Sequence, residues 1–324
     1  MAKILVTGGA GFIGSHLVDR LVEKKHRIVV IDNLSTGFKS NLNPKAKLFQ
    51  VDICSVVIDR IFQKERFEYM FHYAAQVDIR KSLQNPILDV GVNISGSLNL
   101  IRSCQKHKVK KVIFASTGGA IYGEQSFIPA NERHPEMPIS PYGVAKLSVE
   151  KYLNFYYQIY GLPYVAVRYG NVFGPRQNPK GDSGVVAIFA ERLLKNEPLA
   201  IYGDGKQTRD YVYVADAVNA ALLGLRSRQV GAFNIGRGRE TSVNRLYKMM
   251  KVKTHSKSEV TFAPIRAGEQ MRSCIDYKKA FNLLGWKPRF DLDSGLDLTL
   301  KYYAEKIKRP ADSVFGDRFR LTCS

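Results

Sequence analysis

Tyr142 and Lys146 are separated by three residues in the run Tyr142-Gly143-Val144-Ala145-Lys146. On a helix that spacing puts a phenol and an ammonium on one face, a turn apart. A neighbouring cation stabilises phenolate, lowers the tyrosine pKa and makes the side chain usable as a base near neutral pH. The spacing alone arises often by chance, as two unrelated helix residues. It gains weight behind a fold that binds a nucleotide.

The start of the chain has the layout of such a fold. Thr7-Gly8-Gly9-Ala10-Gly11-Phe12-Ile13-Gly14 joins the apolar run Ile4-Leu5-Val6 to an amphipathic helix predicted over 12–22. Glycines at this turn, Gly8, Gly11 and Gly14, let the backbone approach a pyrophosphate. The helix start at Phe12 and Ile13 adds free N–H groups and the positive end of its dipole. The next apolar run, Ile28-Val29-Val30-Ile31, ends at Asp32. A carboxylate there accepts hydrogen bonds from the adenosine ribose hydroxyls and repels a 2′-phosphate, so NAD is favoured over NADP. The plainer reading is a turn aspartate, because Asp32-Asn33 opens a loop rich in Ser, Thr and Gly.

These groups need a sheet to hold them. Strand-like runs at 4–7, 27–31, 47–51, 69–72, 112–115 and 164–168 alternate with helix-like segments. The longest of those covers 85–106, with Ile87, Val90, Ile94, Leu98 and Ile101 at helical spacing. The alternation predicts an α/β protein with a doubly wound, mostly parallel sheet, whose ligands sit at the carboxyl ends of the strands. After Gly170 the rhythm breaks at Pro175, Pro179, Gly181 and Gly184. The expected organisation is a nucleotide-binding domain over 1–170 and a smaller α/β lobe over 171–308, some of whose segments return to the first domain. Residues 309–324 are expected to form a mobile tail.

A chain of 324 residues can bury a large core. No apolar run reaches transmembrane length, and the first strand begins too early to leave room for a signal peptide. Cys54, Cys104, Cys274 and Cys323 lack the spacing of zinc or disulfide frameworks, so no metal is expected and the cytoplasm is. The formal net charge of +20 has three readings: attraction of anionic sugar nucleotides, loose association with nucleic acid or membrane surfaces, or a solvated lysine-rich face. Runs such as Lys106-His107-Lys108-Val109-Lys110-Lys111 carry no nucleic-acid motif, which favours the solvated face and excludes specific nucleic-acid binding and membrane insertion from the expectations.

Beyond the glycine turn and Asp32-Asn33-Leu34, the ordered motifs are Asp52-Ile53, His72-Tyr73-Ala74-Ala75-Gln76, Asn93 to Leu100, Ser116 to Gly123, Ser140-Pro141-Tyr142-Gly143, Arg168 to Arg176 and Arg209 to Val214. With them the chain resembles the extended short-chain dehydrogenase/reductases from Lys3 to about residue 305, and within these the UDP-glucose 4-epimerases. The resemblance implies a Rossmann-type sheet with a C-terminal substrate lobe and a resident NAD. It implies that Tyr142, helped by Lys146 and the positive nicotinamide, removes the proton of a sugar 4-hydroxyl. Lys146 would also bond the nicotinamide ribose. Gly8, Gly11, Phe12, Ile13, Gly14, Asp32, Asn33, Asp52, Ile53, Ala74, Ala75 and Gln76 would surround the cofactor, and Asn93 would support the active-site helix. Asn171 would hold the diphosphate or sugar, Arg209 and Arg266 the diphosphate, Val185, Val186 and Tyr202 the uridine, and Glu269 its ribose. Each arginine has a plainer reading as a surface charge. His72 is expected to pack at a strand end rather than react.

One position departs from the pattern. Many relatives carry Ser or Thr four residues before the tyrosine of the loop's Tyr-Gly pair; counting back from Tyr122, this chain has Gly118. Thr117 is expected to supply the hydroxyl, against a plainer role in satisfying backbone groups. The family's 4,6-dehydratases read Thr-Asp-Glu in this loop and UDP-glucuronate decarboxylases carry a Glu nearby, whereas Gly118 and Gly119 offer no second acid or base. The expected reaction is C4 epimerisation of a UDP-hexose. Another nucleotide-sugar converter such as the decarboxylase and a non-catalytic NAD-binding protein stay open. Ser273 aligns with the position that gates the sugar's 2-substituent, and its small size predicts acceptance of UDP-GlcNAc as well as UDP-glucose. A homodimer through helices near 86–106 and 141–160 is implied, with Tyr152, Phe155, Tyr156 and Ile159 either interface or core.

Overall fold

Short runs rich in Val, Ile and Phe form the centre of the molecule as parallel strands covered on both faces. A computed structural model describes residues 1–180, 184–265 and 270–308. From the N-terminus come β1 (Lys3–Thr7), α1 (Phe12–Glu23), β2 (Arg27–Ile31), β3 (Lys47–Phe49), α2 (Ile58–Glu65) and β4 (Tyr69–His72). Then follow α3 (Ile79–Gln84), α4 (Pro86–Asp89), a π-helical turn at Val90–Gly96, α5 (Ser97–Lys106), β5 (Lys111–Thr117), α6 (Gly118–Ile121) and α7 (Pro141–Tyr160). After them come β6 (Tyr164–Tyr169), β7 (Asn171–Phe173), α8 (Val185–Leu194), β8 (Leu199–Tyr202), β9 (Thr208–Tyr213) and α9 (Val214–Arg226). The described chain closes with β10 (Gly231–Ile235), β11 (Glu240–Ser242), α10 (Val243–Thr254), β12 (Val260–Ala263), α11 (Lys278–Leu284) and α12 (Leu292–Lys308).

The main sheet has the order β10-β6-β5-β4-β1-β2-β3, and its pairs are parallel. Its order reverses between β1 and β4, the switch point at which open α/β sheets bind ligands. On one face Leu17, Val18 and Leu21 of α1 and Ala217 and Val218 of α9 pack against Ile4, Val6, Val30 and Ile113. On the other, Phe62 of α2, Ile101 of α5 and Val149 and Leu153 of α7 cover Leu5, Val29, Met70 and Phe114. This is the Rossmann-type doubly wound sheet that the alternation predicts. The first core runs on without a break into Phe189 of α8, Met250 of α10 and Tyr303 of α12, which flank the small sheets β11-β9-β7 and β12-β8.

Two local differences from the sequence reading matter at the site. The helix expected over 85–106 is interrupted by the π turn, and Gly96 in that turn lies so close to Ile53 that a Cβ would meet its side chain at 2.7 Å. The strand expected over 112–115 extends to Thr117, because β6 pairs with it as far as Thr117↔Tyr169. That register carries Ser116 and Thr117 to the carboxyl edge of the sheet. The expected tail, 309–324, lies outside the described residues.

Candidate active site

The glycine turn closes on itself too tightly for side chains. Gly8 has φ +68, and a Cβ there would sit 2.5 Å from the Ala74 nitrogen. At Gly14 a Cβ would come within 2.2 Å of the Gly8 carbonyl oxygen. Gly11 starts α1 without any side-chain cap, leaving first-turn N–H groups for an outside anion. Phe12 and Ile13 are half-buried in that first turn. This cradle fits a dinucleotide pyrophosphate.

Asp32, 7% exposed, faces the same turn. Its Oδ2 accepts from the Ala10 N–H and its Oδ1 from the Leu34 N–H, both at 2.9 Å. The turn role is therefore real, and each oxygen keeps a lone pair for a ribose hydroxyl. Asn33 donates to Asp52 Oδ2 at 2.8 Å, joining the loops after β2 and β3. The Cys54 backbone N–H, with Asn33 beside it, holds the Asp52 carboxyl below its usual range. Ile53 is buried against the π turn. The loop after β4 is pinned at both ends: Ala74 N–H donates to Thr7 Oγ1 at 3.2 Å and Gln76 N–H to Asn93 Oδ1 at 2.9 Å, with half-buried Ala75 between. The Asn93 amide also donates to Gln76 O and Asp89 Oδ1, so it braces the loop rather than reaching outward.

Ser140 caps α7 by accepting from the Gly143 N–H, and Pro141 at the first helical position fixes the entry. Tyr142 and Lys146 then lie on one face, with the Lys146 ammonium 5.8 Å from the Tyr142 ring centre and 4.7 Å from that of Phe114. Lys146 Nζ donates to Ala115 O at 2.9 Å. Burial lowers Lys146 to about 8, opposed by the charges of Asp89 and Glu150. Tyr142 corrects the sequence reading: burial, then the Asp89 charge, holds its phenol above the usual range rather than below.

Thr117 ends β5 and caps α6, its Oγ1 accepting from the Ala120 N–H at 3.2 Å. The departure at Gly118 has a physical cause. A Cβ there would meet the Ile275 side chain at 2.8 Å, so a hydroxyl-bearing residue fits only if Ile275 moves. At Gly119 a Cβ would lie 3.8 Å from each of Asn171 Oδ1, Ser273 Oγ and Thr117 Oγ1. Three neutral side-chain oxygens from distant parts of the chain thus converge over one glycine. Ser273 is buried and held by its N–H to Thr208 O at 3.2 Å. Asp210 ties down the neighbouring Ile275 N–H and the turn at Arg237 and Gly238.

Arg209 is half-buried on β9, with Nη1 donating to Thr208 O at 2.9 Å. Tyr202 ends β8 and is half-buried, as is Val185 at the start of α8; Val186 is buried in the core. Arg266 and Glu269 lie outside the described residues. His72 packs as expected: it is buried between Thr7 Oγ1 and Ser97 Oγ at 2.7 and 2.8 Å, and burial lowers it to about 3. Among the described residues no group of His, Cys, Asp and Glu is arranged to hold a metal ion, and no helix is long and apolar enough to cross a membrane.

The sequence reading passed over a buried network behind these groups. Arg168, on the apolar strand β6, donates to both oxygens of Glu150, to Glu136 and to the Tyr122 hydroxyl. Ser116 Oγ donates to Glu150 Oε1 at 2.5 Å. Glu150 is one turn beyond Lys146, so β5 is tied to α7 at successive residues, Ala115 through Lys146 and Ser116 through Glu150. An arginine in an otherwise apolar strand was the available signal, since a buried guanidinium requires carboxylate partners.

Residues 4–236 match the model of the NAD dependent epimerase/dehydratase family. This chain belongs to that family. A member named as a putative UDP-glucose 4-epimerase from Methanocaldococcus jannaschii is 45% identical over 293 residues, covering 90% of this chain and 95% of its own. The structure of a Thermotoga maritima UDP-glucose 4-epimerase with UDP-glucose superposes with a TM-score of 0.93 at 48% identity, covering 94% of this chain and 100% of that one. A Thermus thermophilus UDP-glucose 4-epimerase in complex with NAD gives 0.90 at 42%, covering 93% and 98%. The protein is an NAD-dependent epimerase with NAD as its cofactor, and the expected family and fold hold.

Proposed function

We propose that the protein interconverts UDP-hexoses at C4, UDP-glucose and UDP-galactose first among them. The observation that carries this reading is the glycine pair at the end of β5. Where an elimination or decarboxylation would need a second acid or base, a Cβ at Gly118 would meet the Ile275 side chain, and the atoms nearest a Cβ at Gly119, among the described residues, are the neutral oxygens of Thr117, Asn171 and Ser273. That set can orient a sugar and exchange a proton, but lacks a carboxylate for a second chemical step.

Tyr142 takes the proton of the 4-hydroxyl as C4 gives up hydride, and returns a proton to the same oxygen when hydride comes back to the other face of the 4-keto sugar. Lys146, fixed to Ala115 O, holds the charge beside it and bonds the nicotinamide ribose. Bound NAD supplies the acceptor and donor of hydride and a positive ring charge that favours phenolate. The glycine cradle holds its pyrophosphate, and Asp32, Asn33, Asp52 and Ile53 its adenosine end. Thr117 and Asn171 orient the sugar; Arg209 and Arg266 anchor the diphosphate through guanidinium forks while the sugar turns. Val185 and Tyr202, rather than core-buried Val186, line the uridine side, and Glu269 takes its ribose. The test is conversion of UDP-glucose by the purified protein without added reductant, read by NMR. Absence of UDP-galactose, or appearance of a dehydrated or decarboxylated product, overturns the reading.

The small, buried Ser273 leaves room beside the sugar for an acetamido group, so UDP-GlcNAc is a second substrate. Ser273→Tyr fills that space and removes the N-acetyl activity selectively; equal loss on both substrates contradicts the gate. A homodimer forms through α7, where Tyr152, Phe155 and Ile159 are exposed rather than core, together with exposed Ile87 and Leu88 of α4. Its molar mass in solution checks this.

A further inference from the structure

Asp89, at the end of α4, is a buried carboxylate that the proposed chemistry does not use; 1% of its surface is exposed. Its Oδ1 accepts from Gln76 Nε2 at 3.0 Å and from Asn93 Nδ2 at 2.9 Å. Among the described residues its Oδ2 is buried with no hydrogen-bond donor. A buried charge with one oxygen unsatisfied costs stability and calls for an explanation. It stands where α4 gives way to the π turn, a geometry that recurs at functional sites, and α7 packs against both. Across that contact its charge reaches Tyr142 and Lys146, the only pair of groups on α7 that the chemistry employs.

We infer that Asp89 is a positioning residue for the reaction: it is the fixed counter-charge of buried Lys146, and its oxygen shared by Gln76 and Asn93 keeps that charge in place behind the Tyr142/Lys146 pair. The inference rests on the reading of Tyr142 as the base. The charged and titratable groups acting on Lys146 are Tyr142 and Glu150 on its own helix, Asp89 from α4 and His72 from β4, while Arg168 on β6 neutralises Glu150. His72 is neutral near pH 7 because burial lowers it to about 3. Asp89 is thus the carboxylate acting on Lys146 that has no cation of its own among these groups. Its negative charge raises both Lys146 and Tyr142. It therefore keeps the ammonium charged against burial, while opposing phenolate.

Asp89→Asn keeps the shape and an oxygen for Gln76 and Asn93, and removes only the charge. The acidic limb of the kcat profile, set by Tyr142, and the alkaline limb, set by Lys146, are both expected to move to lower pH, by on the order of one unit. A merely structural role scales the profile without moving it. A second readout needs no turnover: phenolate absorbance of the NAD-loaded protein, less that of Tyr142→Phe, follows Tyr142 alone. Its midpoint falls in Asp89→Asn. Unmoved limbs and midpoint, with Tyr142→Phe inactive, overturn the inference and leave the base reading intact; an active Tyr142→Phe overturns both. Lys146→Arg tests the inference without altering Asp89. A guanidinium does not lose its proton in this range, so the alkaline limb vanishes; its persistence overturns Lys146 as the group that Asp89 holds.

Discussion

The cofactor mouth and the reacting edge lie at the same carboxyl ends of the main sheet but are built in opposite ways. At the mouth the work is done by backbone. Gly8 and Gly14 pack so closely that side chains are excluded, and Asp32 spends both oxygens on backbone N–H groups. At the reacting edge side chains from β5, β7 and the segment around Ser273 converge on Gly119. The mouth is a local motif carried by adjacent residues, whereas the edge exists only once the chain has folded. Substitutions at the edge should therefore strike turnover while sparing cofactor binding, and those at the mouth should do the reverse.

The largest expected effect is at Tyr142. Tyr142→Phe should retain bound NAD and the fold while turnover falls by about 10²-fold or more, the usual consequence of deleting a positioned acid–base group. Wild-type turnover would break the contrast at its strongest point. Gly118→Ser comes next. The new Cβ meets Ile275, so urea unfolding should show a loss of about 1–3 kcal/mol, whereas Gly119→Ala, with only ordinary contacts, should hold near wild-type stability. Equal stability of the two variants would remove Ile275 as the reason for glycine at 118. Asp32→Ala should have the smallest effect on turnover at saturating cofactor. Titration with both dinucleotides should show NAD weakened by about tenfold and its advantage over NADP narrowed. An unchanged ratio would leave Asp32 as a turn residue alone.

Legibility in the sequence followed the same division. The glycine turn, the strands on either side of it and Asp32 could be read because their neighbours in space are neighbours in sequence. Tyr142 and Lys146 could be read because helical spacing alone brings them together. The reason for Gly118 could not, since it depends on Ile275 arriving from far along the chain. The direction of the Tyr142 shift was misread because the Tyr-x-x-x-Lys run shows the helpful cation but neither the burial nor Asp89. Asp89 lies between the apolar positions Ile87 and Val90 of the predicted helix, and nothing in that spacing marks it out. The π turn that follows changes which side chains share a face, and periodicity counted at α-helical spacing cannot detect it. Arg168 stands within a sequence motif, but its carboxylates come from α7 and the loop before it.

The central claim is that one bound NAD and one base carry C4 through a keto sugar and back. It is tested most directly by incubating the protein in ordinary water with UDP-glucose bearing deuterium at C4 and examining the product by NMR. The account predicts UDP-galactose that retains deuterium at C4, with no added reductant consumed. Loss of the label to solvent, or no UDP-galactose at all, would contradict it.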